Sequence, residues 1–232
     1  MNFWKVTEIS RCVIGFPLKN SGVYMLTSEE YLKNPCGTLA TAFWKEAYFP
    51  KPNNVRIFHK DSVPNADFKN NATAYFRMIH YPKDNYNIVM PEGFAIRKVC
   101  LPEEAHLAAS LINRCYPGSS FDACSIIRWT DYPVFNNDLW VFIWDENAKI
   151  PAALGIADFD KNIEEASLEW IQVLSEYRGL GLGQNIVLEL LFRLKDYAGF
   201  ITVSGEVNNV SNPEKLYRKC GFEGNDIWYV GR

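Results

Sequence analysis

Between Glu169 and Gln184 the chain reads Glu-Trp-Ile-Gln-Val-Leu-Ser-Glu-Tyr-Arg-Gly-Leu-Gly-Leu-Gly-Gln. An apolar strand runs into a glycine-rich turn, and the turn opens an amphipathic helical pattern. That order builds a place to hold an anion. Gly179, Gly181 and Gly183 keep side chains away, so backbone N–H groups can close on phosphate oxygens. The helix that follows adds unpaired N–H donors and the positive end of its dipole. Arg178 supplies a fixed positive charge at the entrance, and Gln184 ends the turn. The chemistry expected of such a turn is the binding of a diphosphate.

Two common diphosphate motifs do not fit. A nucleotide-binding P-loop requires Gly-Lys-Ser/Thr five residues after its first glycine, and Gln184 stands there instead. A dinucleotide fingerprint needs a third glycine or alanine three residues after Gly181, and that position is again Gln184. What fits is Arg-x-x-Gly-x-Gly at Arg178, Gly181 and Gly183. Downstream, Ile186, Val187, Leu190, Leu191 and Leu194 share one helical face. The strand-like Phe200–Val207 follows, then Asn208-Asn-Val-Ser-Asn212, Pro213 at a helix start, and Leu216-Tyr-Arg-Lys-Cys-Gly-Phe222. The loop and the Leu-Tyr-x-Lys-x-Gly-Phe ending, in this order, resemble the GNAT (GCN5-related) N-acetyltransferases.

The elements needed to position these residues are legible upstream. Gly93–Val99 predicts a strand and Pro102–Arg114 a helix with acids at its positive end. Trp140–Trp144, Ala152–Asp158 and Glu165–Leu174 predict three more strands. The expected class is α/β, a mixed sheet with helices on both faces in the GNAT order. The resemblance covers residues 93–232, with a boundary in the polar stretch 82–93. Residues 1–90 are expected to form an accessory α+β module of unknown role. They carry strand-like pieces at Val23–Leu26, Val55–Phe58 and Ala74–Ile79, and an Asn34–Lys45 segment in which small residues lead to an aromatic pair.

The resemblance implies acetyl-CoA as co-substrate and a primary amine as acceptor. It implies that Arg178, Gly179, Gly181, Gly183 and Gln184 hold the pyrophosphate. It further implies that the strand before the loop splays from its neighbour. Backbone groups of Ile171, Val173 and Leu174 would then pair with the pantetheine arm, and the N–H of Val173 or Leu174 would polarise the thioester carbonyl. Tyr217 occupies the position from which a hydroxyl protonates the departing sulfur; the other reading has its ring packing and its hydroxyl bonding the cofactor. Glu169, on the face of Ile171 and Val173 if strand alternation is unbroken, is the candidate base. Glu165, Glu206 and Asp158 compete with it. Asn208 and Asn209 would cap the last helix, with Asn209 also touching the cofactor. Trp129, Asp131 and Tyr132 would line the acceptor pocket, unless the aromatics simply pack beneath a loop.

Composition narrows the rest. A net charge of −3 and the lack of a basic, aromatic-interleaved stripe argue against nucleic acid. No apolar run is long enough to span a membrane, and Met-Asn-Phe-Trp-Lys is no signal sequence. Cys12, Cys36, Cys100, Cys115, Cys124 and Cys220 show no metal or redox spacing, and the three histidines are scattered. The expectation is a cytoplasmic enzyme with reduced thiols and no metal, acting on a small-molecule or peptide amine, a homodimer being left open. A non-catalytic acyl-CoA sensor is the alternative.

Overall fold

The computed structural model describes residues 55–161 and 164–231. The expectations for Val23–Leu26, Asn34–Lys45, Cys12 and Cys36 lie outside these residues.

In chain order the described elements are β1 (Arg56–His59), α1 (Ala66–Asn71), β2 (Thr73–His80), β3 (Phe94–Lys98), α2 (Ala105–Cys115), α3 (Ala123–Arg128), β4 (Trp140–Asp145), β5 (Ile150–Asp160), β6 (Glu165–Val173), α4 (Leu182–Leu194), β7 (Phe200–Glu206), α5 (Pro213–Lys219) and β8 (Glu223–Gly231). These eight strands form one sheet in the order β1-β8-β2-β7-β6-β5-β4-β3. Among them only β6 and β7 run parallel, and α4 makes the crossover that a parallel pair requires. This is the mixed α/β sheet that the sequence predicts.

Two cores sit on opposite faces. Ile186, Val187, Leu190, Leu191 and Leu194 of α4 pack with Val141, Ile143, Leu168, Ile201 and Val203. The apolar faces of α2 and α3 (Ala105, Ala108, Leu111, Ile112, Ile126) cover Trp140, Phe142, Leu154 and Ile156 on the other side. α4 is apolar around much of its circumference, and Leu188 is buried with the main stripe. Phe192 stays 46% exposed. Glu189 and Arg193 pair at 2.7 Å, as their spacing predicts. The acidic start of α2 takes a specific form: Glu104 holds Arg97 through two bonds of 2.7 and 2.8 Å and accepts the Cys100 N–H at 2.9 Å.

The N-terminal side contributes to the middle of this sheet. β2 lies between β7 and β8, paired antiparallel to both, and β1 closes the β8 edge. The polar stretch expected as a boundary therefore joins two parts of one sheet. It is fastened across α4 by the buried Asn185 amide, which accepts the Val89 N–H at 3.2 Å and donates to the Val89 carbonyl at 2.9 Å.

Candidate functional site

β6 and β7 stay together for only four residue pairs, from Glu165↔Phe200 to Leu168↔Val203. Beyond them β6 runs on to Val173 and β7 to Glu206 without pairing to each other, so a wedge opens between the strands. A bulge stands at its apex. Ile156 faces Trp170 but Ala157 faces Leu168, which leaves Glu169 as the extra residue. The bulge resets the alternation. Ala166 and Leu168 before it, and Ile171 and Val173 after it, all face the α4 core. Trp170 and Leu174 face the opposite core. The condition on which Glu169 would share the face of Ile171 and Val173, an unbroken alternation, is therefore not met, and Glu169 is exposed.

The backbone phase of β6 decides which groups face the wedge. The Leu174 N–H donates to Ala152 O at 3.0 Å, so Leu174 and Ala152 form a hydrogen-bonded pair. Antiparallel ladders alternate, so the next opposed pair, Val173↔Ala153, is non-bonded, as is Ile171↔Gly155. The N–H and C=O groups of Ile171 and Val173 therefore point away from β5 and into the wedge. Leu174, the other sequence candidate for polarising a carbonyl, has its N–H committed within the sheet.

The glycine turn lies at the wedge mouth. Gly179 and Gly181 adopt φ of +85° and +80°, the left-handed region in which a side chain is strained. A Cβ at either would meet nothing within 4 Å, so the turn's glycine face is open. Gly181 is the N-cap of α4 and no side-chain bond caps that end, leaving its first-turn N–H groups available. Gly183 serves packing: a Cβ there would stand 3.4 Å from Leu216 of α5 and 3.6 Å from Val173. Arg178 is exposed and its Nε reaches back to the Val173 carbonyl at 3.4 Å. Gln184, inside the first turn of α4, is exposed. Just before the turn, the Tyr177 hydroxyl donates to Asp145 at 2.8 Å, and Arg114 at the end of α2 pairs with Glu176.

Tyr217 reaches this region from α5. It is 6% exposed, with its ring 6.2 Å from Phe76 and 5.8 Å from Phe222. Burial, with a smaller contribution from Tyr116, pushes its phenol well above the usual tyrosine range, so it stays protonated. Tyr116 follows α2, and its ring meets Trp170 edge-on at 5.7 Å.

The other candidates are placed differently. Asn209 accepts the Ser211 N–H and hydroxyl at 2.9 and 2.6 Å, an Asx turn, while Asn212 occupies the N-cap of α5 without a side-chain bond. Helix capping by Asn208 or Asn209 is thus not what the turn uses. Glu165 is fully buried against Arg77 and Thr202, whereas Glu206 is exposed and Asp158 half-buried. Trp129 stacks on Trp170 at 5.5 Å and 13°, inside an aromatic cluster with Phe121 and Trp140. Asp131 is exposed and Tyr132 half-buried beside it. Gln172, a polar side chain in the apolar end of β6, is not among the residues the sequence singles out; its type among Trp170, Ile171, Val173 and Leu174 is the available signal. Among the described residues no cluster of His, Cys, Asp or Glu could hold a metal ion, and no helix is long and apolar enough to cross a membrane.

Residues 136–224 match the family model described as an acetyltransferase (GNAT) domain. A curated relative, the [ribosomal protein bS18]-alanine N-acetyltransferase of Haemophilus influenzae, is 35% identical over 74 residues, or 32% of this chain and 50% of that protein. The chain thus spans about half the length of the curated relative it matches. Among solved structures, a GCN5-related N-acetyltransferase from Sphaerobacter thermophilus superposes with a TM-score of 0.59 at 12% identity, covering 69% of this chain and 51% of that one. A tandem GNAT protein from the clavulanic acid biosynthesis pathway gives 0.56 at 14% identity, covering 76% and 62%. At those identities the structures speak for the fold, and the family match falls on the wedge and its glycine turn. The chain carries a GNAT-family domain in its C-terminal region.

Proposed function

We propose that this protein is an acetyl-CoA-dependent N-acetyltransferase that acts on a primary amine by direct attack. The observation that carries this reading is the wedge. A strand edge whose backbone groups at Ile171 and Val173 have no sheet partner leads, through a single turn at Ser175–Tyr177, to an open glycine turn and an uncapped helix N-terminus. An extended amide-bearing arm ending in a diphosphate fits that sequence of groups. The arm would pair with the edge like an added strand, and the diphosphate would lie against Gly179–Gln184 beside the exposed Arg178.

Acetyl-CoA supplies an activated acetyl group; the amine nitrogen bonds to its carbonyl carbon as the carbon–sulfur bond breaks. The Val173 N–H stabilises charge on the carbonyl oxygen, a role supported by its facing the wedge while the Leu174 N–H bonds within the sheet. Tyr217 holds its proton through burial and donates it to the leaving sulfur. Glu169 sits exposed at the wedge apex, where it takes the amine's proton through water. The relative's alanine acceptor on a ribosomal protein supports an amine acceptor here as well.

The test is coenzyme A release from acetyl-CoA with a panel of amino acids, polyamines and short peptides, alongside calorimetric binding of coenzyme A. Amine-dependent release supports the enzyme. Binding without release for any amine would favour the sensor, and the absence of both binding and release would overturn the wedge assignment.

A further inference from the structure

Gln172 is 4% exposed, and both its Oε1 and its Nε2 are buried without a hydrogen-bond partner. Buried side-chain amides in folded proteins are ordinarily paired, and an amide orphaned at both ends calls for an explanation. Its position supplies one. Trp170 and Leu174, the residues on either side of it in the pleat, pack into the α2–α3 core, so the Gln172 side chain leaves β6 on that face. Val173, next in sequence, turns its N–H into the wedge. Tyr116, 40% exposed at the C-cap of α2, lies beside Gln172. Burial raises the pKa of its hydroxyl and the neighbouring Gln172 amide partly opposes this, yet no bond of proper length and angle joins the two.

The donor and acceptor must meet at the Val173 N–H. On the α4 face Val173 packs against the core that holds Tyr217. An amine attacking the carbonyl from the other face arrives beside Tyr116 and Gln172. The N–H and C=O of a single residue in extended backbone satisfy both ends of a side-chain amide at once. The protein contains that pairing elsewhere, where Asn185 accepts from the Val89 N–H and donates to the Val89 carbonyl.

We infer that Gln172 is an acceptor-binding residue that pairs with the backbone of an extended peptide, so that the acceptor amine belongs to a polypeptide N-terminus. This rests on the acetyltransferase reading and narrows its acceptor class. The Gln172 amide exchanges its unpaired state for two bonds to the peptide's second residue.

The experiment compares a free-amine alanyl tripeptide with the same compound carrying an ester in place of its first peptide bond, which deletes the N–H of the second residue. Acetyl transfer by the wild-type protein should favour the peptide by about tenfold or more in kcat/KM, as expected for one deleted bond to a buried polar group. Gln172→Leu and the nearly isosteric Gln172→Met should bring the ratio close to one. Equal use of peptide and ester by wild type, an unchanged ratio in both variants, or transfer to spermidine but not to the peptide overturns the inference. If no amine is acetylated, the catalytic reading fails separately. Calorimetric affinities of peptide and ester for the coenzyme A complex then decide the role of Gln172: a wild-type preference lost in the variants upholds it, and equal affinities overturn it.

Discussion

Arg77 Nη2 lies 2.9 Å from Glu165 Oε1 in the interior, with side-chain exposures of 8% and 0%. The pair bridges β2 and β6 across β7, where Thr202 also donates to the same carboxylate oxygen at 2.6 Å. Burial lowers the guanidinium's pKa, and the facing carboxylate opposes that. Removing one member leaves the other charge buried, which costs about 3–5 kcal/mol, whereas replacing both with apolar residues is often neutral. Glu165→Ala should therefore lower stability by about 3–5 kcal/mol, and the double replacement Arg77→Met with Glu165→Leu should recover most of it. Urea unfolding of the three proteins measures this. Equal midpoints for wild type and Glu165→Ala would contradict the assignment.

The strands β1 and β2 belong to the same sheet as the strands that follow them. Deleting residues 1–90 removes β1 and β2, leaving β7 and β8 with unpaired edges and taking Phe76 and Met78 from the α4-side core. The fragment 91–232 should be insoluble or melt without a cooperative transition. A soluble fragment with a sharp thermal transition and retained coenzyme A binding would show that the remaining strands suffice.

Much of this is readable from periodicity. The α4 stripe, the five strands from Phe94 to Glu206 and the glycine turn each announce themselves locally, because a helix face or a turn is determined by neighbours in sequence. The place of β2 is not, since pairing between Tyr75 and Glu206 depends on contacts over a hundred residues apart. Strand character at 74–79 is visible; its partner is not. At the site, the bulge at Glu169 is invisible in a run that reads as continuous alternation. Whether Val173 or Leu174 faces the wedge is decided only by the Leu174–Ala152 bond. Gln172 becomes informative only once both ends of its amide are seen to lack partners.

Gly181 separates backbone strain from ligand contact. Its φ is +80°, and a Cβ added there would have no atom within 4 Å, so Gly181→Ala meets no steric obstacle within the protein. It should cost only the left-handed penalty of about 1–2 kcal/mol and weaken coenzyme A moderately. Gly181→Glu adds a carboxylate where the diphosphate would lie and should abolish binding. Calorimetry on both variants, with unfolding as control, checks the pair. Full coenzyme A affinity in Gly181→Glu would remove the cradle.

Alkaline pH should unfold the protein early. Burial pushes the Cys220 thiol up to about 12, and Tyr75 and Tyr197, likewise chiefly by burial, up to about 12. A folded-state pKa above the unfolded value gives stability that is complete below the unfolded pKa and lost as pH rises through the folded one. For Cys220 the loss begins near pH 9, and for the two tyrosines near pH 10. The urea midpoint should hold to about pH 9 and fall increasingly steeply towards pH 12. Cys220→Ala should delay the first part of that fall. A midpoint level through pH 11 would speak against the burial of the Cys220 thiol.

Tyr217 carries the most direct test of the chemistry. A thiol leaves readily, so a positioned acid contributes about 10²-fold. Tyr217→Phe keeps the ring that packs against Phe76 and Phe222 and removes only the hydroxyl. Turnover should fall by about that factor, with coenzyme A affinity and thermal stability nearly unchanged. Because burial holds the phenol protonated above the usual tyrosine range, the rate should show no loss from its ionisation up to pH 10. The two readings of Tyr217 part here. A residue that only packs would leave kcat untouched in the phenylalanine variant, and an exposed acid would show a descending limb near its ordinary pKa. An unchanged kcat would assign the proton to solvent and leave Tyr217 with a packing role.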